Sequence, residues 1–484
     1  MNVKAISKNV GLALLVSSLF MLLSVGVSVL EGLDSAFAPL LISFILTFIT
    51  GFFPFIFIKK TQPISLQDGY VIIVLSWLLS FMFGMLPYVM WGGEMSIADA
   101  WFESVSGFTT TGATILKDIE ALPRSLLFWR SSTHFIGGLG VVVFLLLIVP
   151  SASPFKYRLT KMEVSSIFRE SAGMQSRTLV KVISFVYLGI FAAATLSLFL
   201  AGMPLFDAVT HGFSLCATGG FSIKNASVTA YDSLAINVVS AVFMIVATTN
   251  FALIFTCIVR RSLKPFTSNG VVRFYLASIL VTSVIVVLSL KLQYDGMTWK
   301  QASMEGIFTT ISYITTTGFS FGDNSGWPFL ACITLLYVSI QCAMAGSTSS
   351  GIKVDRMIVV FKTIGRQVRS SLHPAATTRI KVGDNYMPEE HILPIVAYIV
   401  LYFIIIIFSI ALLLVCGVGG TEAVSGSIAC LGNVGPGLGE ISAVGNYDAM
   451  PVMAKLIFSL DMFIGRIEVY PLLVAITLIF KHEK

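Results

Sequence analysis

The sequence predicts an all-α integral membrane protein. About ten transmembrane helices and four re-entrant pore loops form pseudo-four-fold repeats of helix, pore helix, filter and helix. Three observations carry this expectation: an apolar composition, a run of long apolar segments, and four segments left over that are too short to span. The chain of 484 residues is 56% hydrophobic and only 12% charged, with a mean hydropathy of +0.89. Soluble domains carry about 25% charged residues, so this balance belongs to a chain in a bilayer.

Apolar runs lie near 10–30, 36–58, 69–92, 126–150, 182–203, 233–258, 272–292, 328–360, 393–416 and 452–480. Lys4 and Lys8 before the first run, with Ala36-Phe37-Ala38 after it, resemble a cleavable leader. However, Val10 to Leu30 is long enough to span, and Pro39 is unfavourable for cleavage, so the segment reads as a retained helix. With the N-terminus placed in the cytoplasm, the inner loops hold Lys4, Lys8, Lys59, Lys60, the set from Lys156 to Lys181, Arg260, Arg261, Lys264, Arg273, the set from Lys353 to Lys381, Lys481 and Lys484. These are roughly 23 of the 31 basic residues. That bias predicts cytoplasmic termini. The basic residues sit in short interhelical loops, which argues against a nucleic-acid partner.

The segments 97–114, 205–222, 301–320 and 420–438 all fall on the outer side, and each ends in a glycine-bearing polar loop. Irregular backbone at membrane depth is tolerated where it is buried in protein or lines a watery path. The loops are Phe108-Thr109-Thr110-Thr111-Gly112-Ala113-Thr114, Cys216-Ala217-Thr218-Gly219-Gly220-Phe221-Ser222, Thr315-Thr316-Thr317-Gly318-Phe319-Ser320 and Gly432-Asn433-Val434-Gly435-Pro436-Gly437. Aligned on Gly112, Gly219, Gly318 and Gly435, they recur at about 100-residue intervals. An N-terminal pair, residues 1–60, then precedes units at 61–155, 156–265, 266–385 and 386–484. One such loop means little, because glycine and threonine are common at membrane helix contacts. Four on one side point to one shared path. Rings of backbone carbonyls can replace the water of a potassium ion, and glycine permits the required backbone angles.

With the filters, the stretches AGSTSSGIK (Ala345 to Lys353), WRSSTHFIGGLG (Trp129 to Gly140) and GRIEVYPLL (Gly465 to Leu473) resemble the Trk/Ktr/HKT superfamily of potassium transporters over essentially the whole chain. The extra N-terminal pair and the length are most similar to its bacterial Trk pore subunits. The resemblance implies one path through four covalently linked units, a homodimer with one pore per subunit, and a cytoplasmic TrkA-like nucleotide-binding regulatory subunit. It implies ion ligands at Thr110, Thr111, Gly112, Ala217, Thr218, Gly219, Thr316, Thr317, Gly318, Asn433, Val434 and Gly435. In plant relatives a serine at the first glycine position accompanies sodium transport, so Gly112 favours potassium. Asn433-Val434 departs from the other pairs, which implies imperfect symmetry and modest selectivity.

Within its apolar run, Ala345-Gly346-Ser347-Thr348-Ser349-Ser350-Gly351 is a poor helix interior and is expected to break the helix. By composition alone it is either an interruption or a small-residue helix contact; the resemblance implies a gate, with Gly346 and Gly351 as flex points. Lys353 either helps to hold that gate or sits at the cytoplasmic interface. Arg466, about 14 residues into the last apolar run, lies at mid-membrane depth. It is either an electrostatic barrier, as the resemblance implies, or a structural partner of Glu468 or Asp461.

The outer segments carry Glu31, Asp34, Glu94, Asp99, Glu103, Asp118, Glu120, Asp207, Asp232, Asp295, Glu305, Asp323, Glu422, Glu440 and Asp448, against Lys117, Arg124, Arg130, Lys224, Lys291 and Lys300. They form either an acidic, cation-concentrating vestibule or ordinary solvated loops. Cys216, Cys257, Cys332, Cys342, Cys416 and Cys430 form no CxxC and read as buried thiols. His134, His211, His373, His391 and His482 make no metal or hydrolase pattern, so an enzyme is not expected. The function expected is potassium uptake across the plasma membrane (the bacterial inner membrane) through a gated, moderately selective pore. K+ is the transported ion, and no organic cofactor is expected. The alternative is a K+ symporter coupled to H+ or Na+.

Overall fold

The computed structural model describes residues 2–148 and 176–481 except 60, 63, 94, 295, 374–379, 383, 384, 390 and 391. Lys60, Lys156, Arg158, Lys161, Arg169, Arg379, Lys484, Glu94, Asp295, His391, His482 and the boundary at 155 therefore lie outside the described residues.

The apolar runs are helical, as a lipid-facing backbone must be if its polar groups are to bond within the segment. Among the described residues the α-helices longer than one turn and a half are α1 (Val3–Leu30), α2 (Phe37–Phe57), α3 (Leu66–Gly84), α4 (Leu86–Trp91), α5 (Ile97–Phe108), α6 (Arg124–Ile148), α7 (Ser176–Leu200), α8 (Leu205–Ala217), α9 (Leu234–Ala247), α10 (Phe251–Arg260), α11 (Gly270–Gln293), α12 (Trp299–Ile314), α13 (Phe329–Gln341), α14 (Val354–Leu372), α15 (Ile392–Val415), α16 (Gly420–Gly432), α17 (Val452–Ile467) and α18 (Val469–Lys481). Among the described residues the only strands are two-residue pieces, Lys381–Val382 and Asn385–Tyr386, paired antiparallel.

Among the described residues six stretches are long and apolar enough to cross a membrane, or seven with the bent pair α9–α10 taken as one span. The fold is thus all-α and multi-pass. Exposed side chains such as Leu19, Phe53, Leu280, Ile407 and Phe408 give the helices an apolar outer face suited to lipid.

Three of the apolar runs are broken, the one at 328–360 as expected and two that were expected to be continuous. The run at 233–258 bends by 99° between α9 and α10. Asn250 makes the new start: its side chain accepts from the Leu253 amide at 3.1 Å and caps α10. The run at 328–360 stops at Gln341 and resumes at Val354, with Cys342, Gly346, Gly351 and Lys353 all at positive φ. The last run is two helices parted at Glu468, whose φ is 63°. Arg466 therefore stands one residue before a helix end rather than midway along a long span. Of the six cysteines, all free, only Cys216, Cys342 and Cys430 are fully buried; Cys257, Cys332 and Cys416 are half-buried.

The N-terminal hairpin shows how small residues set close packing. A Cβ on Gly11 would come 2.5 Å from the Gly51 carbonyl oxygen, and one on Gly51 would meet α1 backbone at about 3 Å. Gly26 faces open space. Gly51→Leu should destabilise the protein by about 1–3 kcal/mol, read as a lower thermal-inactivation midpoint in detergent, whereas Gly26→Ala should leave the midpoint unchanged.

Candidate functional site

Four short helices, α5, α8, α12 and α16, have 12, 13, 16 and 13 residues. At about 1.5 Å per residue each falls well short of a bilayer core. Each ends alike. Thr110, Thr218, Thr316 and Asn433 take left-handed conformations with φ of 52°, 54°, 54° and 53°. Their amides donate three residues back, to the carbonyls of Gly107, Leu215, Tyr313 and Cys430. The next amides, of Thr111, Gly219, Thr317 and Val434, donate five back, to Ser106, Ser214, Ser312 and Ala429. The residues after these, Gly112, Gly220, Gly318 and Gly435, again have positive φ. A β-branched residue in the left-handed region costs about 1–2 kcal/mol, so three threonines there mark a conformation imposed by the surroundings.

This pattern corrects the alignment of the second loop. Gly220, not Gly219, matches Gly112, Gly318 and Gly435. Ala217 is the last residue of α8, and Thr218-Gly219-Gly220 is the triplet equivalent to Thr110-Thr111-Gly112, Thr316-Thr317-Gly318 and Asn433-Val434-Gly435. Gly220 was the residue missed. The repeated tripeptide Gly220-Phe221-Ser222 and Gly318-Phe319-Ser320 carried the signal. Its hydrogen bonds repeat too: Ser214 Oγ donates to the Phe221 carbonyl at 2.6 Å and Ser312 Oγ to that of Phe319 at 2.7 Å.

The four loops close on one another. A Cβ on Gly112 would lie 2.3 Å from the Gly219 oxygen, and one on Gly220 would lie 2.1 Å from the Thr317 oxygen. On Gly318 it would lie 2.2 Å from the Val434 oxygen, and on Gly435 2.4 Å from the Thr111 oxygen. Each glycine thus abuts the next loop's carbonyl, in the order one, two, three, four and back to one. Each short helix also delivers its C-terminal end, the partly negative one, to this ring.

One face of the ring opens into a half-open cavity of about 90 Å³ that touches Gly112, Gly220, Gly318 and Gly435. Among the described residues its charged lining is Lys117, Arg130 and Lys224, none acidic. Each has a carboxylate partner: Asp448 at 2.9 Å, Glu103 at 2.6 Å and Glu120 at 2.8 Å. The mouth is therefore charge-matched, and the expected acidic vestibule is not what lines it. The Lys224 ammonium, donating to Glu120 outside the helices, holds that carboxyl below its usual range.

The other face is covered by the segment between α13 and α14. Thr348 Oγ1 lies 3.3 Å from Thr218 Oγ1 and donates to the carbonyls of Cys216 and Ala247, also at 3.3 Å. Ser349 Oγ accepts from Thr316 Oγ1 at 3.3 Å. The α9–α10 bend holds the same segment: Asn250 Nδ2 donates to the Ala345 oxygen at 2.7 Å, and the Phe251 amide to that of Gly346 at 3.0 Å. Ser347, Thr348, Ser349 and Ser350 are buried, and so is Gly351, whose Cβ would strike Cys342 Sγ.

Arg466, only 3% exposed, reaches across beneath the ring. Nη1 donates to the Thr348 oxygen at 2.7 Å and to Ser350 Oγ at 3.2 Å, and Nη2 to the Gly137 oxygen at 3.2 Å. Among the described residues no carboxylate pairs with it. Asp461 accepts from Ser409 and Ser427. Glu468 instead binds Lys353 at 3.2 Å and Arg356 at 2.8 Å. The structural-pair alternative for Arg466 is thereby overturned. Lys353 is 7% exposed and belongs to this ionic cluster at the end of the segment. No group of three His, Cys, Asp or Glu side chains gathers into a metal-holding set among the described residues.

Comparison with known proteins gives the chain's family. The family TrkH, cation transport protein, matches residues 38–484. The chain belongs to the TrkH family. This TrkH-family chain is 34% identical over 395 residues to the Trk system potassium uptake protein TrkH of Salmonella typhimurium, covering 80% of each. It is 31% identical over 484 residues to the TrkH of Halomonas elongata, covering 99% of each. The crystal structure of the potassium transporter TrkH from Vibrio parahaemolyticus superposes with a TM-score of 0.87 at 29% identity, over 98% of both chains.

The corrected register has a direct test. Gly220→Ala meets both a positive φ and a backbone oxygen, so it should cost more than about 2 kcal/mol. Gly219→Ala meets the His134 ring, 2.3 Å from its Cβ. Removing that ring with His134→Ala should restore the thermal-inactivation midpoint of Gly219→Ala but not of Gly220→Ala.

Proposed function

We propose that this chain forms a gated pathway for K+ across the bacterial inner membrane, with the four-loop ring as its filter. The observation that carries the reading is the closure of the ring through four successive glycine–carbonyl approaches. Backbones this close gather carbonyl oxygens around one axis, which is what a dehydrated cation needs. The ligands are Thr110, Thr111 and Gly112; Thr218, Gly219 and Gly220, with Ala217 ending the helix; Thr316, Thr317 and Gly318; and Asn433, Val434 and Gly435. One side-chain oxygen supports a cation there: Thr110 Oγ1 is buried and takes no hydrogen bond from the protein.

The repeat supports an architecture of ten spans and four re-entrant loops, with units at 61–155, 156–265, 266–385 and 386–484 after the pair 1–60. The segment Gly346 to Gly351 acts as the gate. Its Thr348 and Ser349 lie against Thr218 and Thr316, and Arg466 fastens it to α6 and α17 while placing a positive charge on the cation's route. Conduction requires that segment and the guanidinium to move aside together. Family membership supports a cytoplasmic TrkA-like nucleotide-binding subunit as the agent of that movement, and a homodimer with one path per chain. The distribution of basic residues supports cytoplasmic termini.

The decisive experiment is isotope or indicator flux in proteoliposomes holding the purified chain and only a K+ or Na+ gradient. K+-preferring flux is the expected result; flux that appears only with an imposed H+ or Na+ gradient would replace the pore with a symporter. Gly112→Ser should raise Na+ passage relative to K+, and an unchanged ratio would remove Gly112 from the filter. Arg466→Ala, and separately deletion of Gly346 to Gly351, should raise basal K+ flux severalfold in monodisperse protein. Parent-level flux in both would remove the gate.

A further inference from the structure

The pair Glu103–Arg130 is buried beside the ring and has no role in the pathway as described so far. Glu103 on α5 is 0% exposed and Arg130 on α6 is 1% exposed. Arg130 Nε donates to Glu103 at 2.6 Å. Glu103 also accepts from Thr114 Oγ1 at 3.0 Å and from the Ile115 amide at 3.1 Å, just past Gly112. On the other side, Arg130 Nη1 donates to the Ser222 oxygen at 2.8 Å, and the guanidinium lies 3.5 Å from the Phe221 ring centroid, just past Gly220. His134 stacks on that same ring at 4.1 Å. One ion pair therefore grips both the first and the second loop immediately beyond their glycines.

Directly beside the ring the other junctions are closed by neutral groups, and the Lys117–Asp448 pair between the first and fourth units lies out at the exposed rim. His211 Nε2 bonds Ser222 Oγ at 2.9 Å, and its ring lies 5.8 Å from that of Phe319. Tyr313 Oη donates to the Gly437 oxygen at 3.3 Å. Tyr447 Oη donates to the Gly435 oxygen at 2.9 Å, and its amide to the Thr114 oxygen at 2.8 Å. Charge-assisted bonds are shorter and stronger than neutral ones, so the first junction is braced differently from the other three.

We propose that Glu103–Arg130 is a positioning pair that fixes the separation of the first and second loops, and thereby sets how well the ring discriminates K+ from the smaller Na+. The proposal rests on the reading of the ring as a K+ filter. Discrimination by carbonyls depends on how many oxygens face the ion and how freely they approach it. A brace that stops two adjacent loops from closing further denies Na+ the tighter cage it needs. The pair also cancels the charge that Arg130 would otherwise present to the cavity.

The test is K+ and Na+ flux in proteoliposomes for the parent, for Glu103→Gln/Arg130→Gln and for Glu103→Asp, each at matched thermal stability in detergent. The double variant leaves no uncompensated buried charge, and Glu103→Asp keeps the charge while withdrawing it from Thr114 and Ile115. The K+:Na+ flux ratio is expected to fall severalfold in the double variant and also in Glu103→Asp. A parent-like ratio in the folded double variant would overturn the proposal. Should the double variant fail to fold, the ratio in Glu103→Asp decides in the same way. Arg466→Ala protein, its gate released, that still passes no K+ would sink the filter reading itself. A conducting parent with unaltered ratios in the variants would sink only the brace.

Discussion

Everything at the centre of this molecule depends on four peptide backbones lying closer together than any side chain permits. An added Cβ at Gly112, Gly220, Gly318 or Gly435 would come within 2.1–2.4 Å of a neighbouring carbonyl oxygen. That constraint explains the short helices, which must stop there. It explains the strained threonines, which turn the chain out of the helix. It also explains the interlocking groups around the ring, Tyr447 and Tyr313 on the chain at and past Gly435, and His211 and Arg130 on the chain past Gly220.

A second constraint comes from the bilayer. Backbone that leaves a helix at membrane depth must find partners within the protein. The breaks at Thr248–Asn250 and at Cys342–Lys353 satisfy one another, through Asn250 to Ala345 and Phe251 to Gly346. The break at Glu468 meets the same segment through Lys353, and Arg466 crosses to Thr348 and Gly137. Three irregular stretches that hydropathy sees as separate are thus one hydrogen-bonded unit beneath the ring.

Much of this was legible in the sequence. Hydropathy marks the long helices, and the four glycine-bearing loops announce themselves by spacing and side. What was missed has physical causes. Two of the three helix breaks were invisible because a capping asparagine or a lone glutamate hardly lowers the mean hydropathy of a long run. The second loop was misaligned because two adjacent glycines offer two registers, and only backbone angles, or the Gly-Phe-Ser match, choose between them. The acidic mouth was a count of charges without their partners. Lys117, Lys224 and Arg130 stand beside the carboxylates that count included.

The four loops belong to one chain, so no symmetry operator repeats a change made in any of them. In a ring of identical subunits one codon alters four walls at once, and most such changes are ruinous. Here Asn433 can bond sideways to Thr111 and Met462 while the other three quadrants keep threonine. Each quadrant is free to drift alone. Variation across relatives should therefore accumulate unevenly around the axis, a quarter of the aperture at a time.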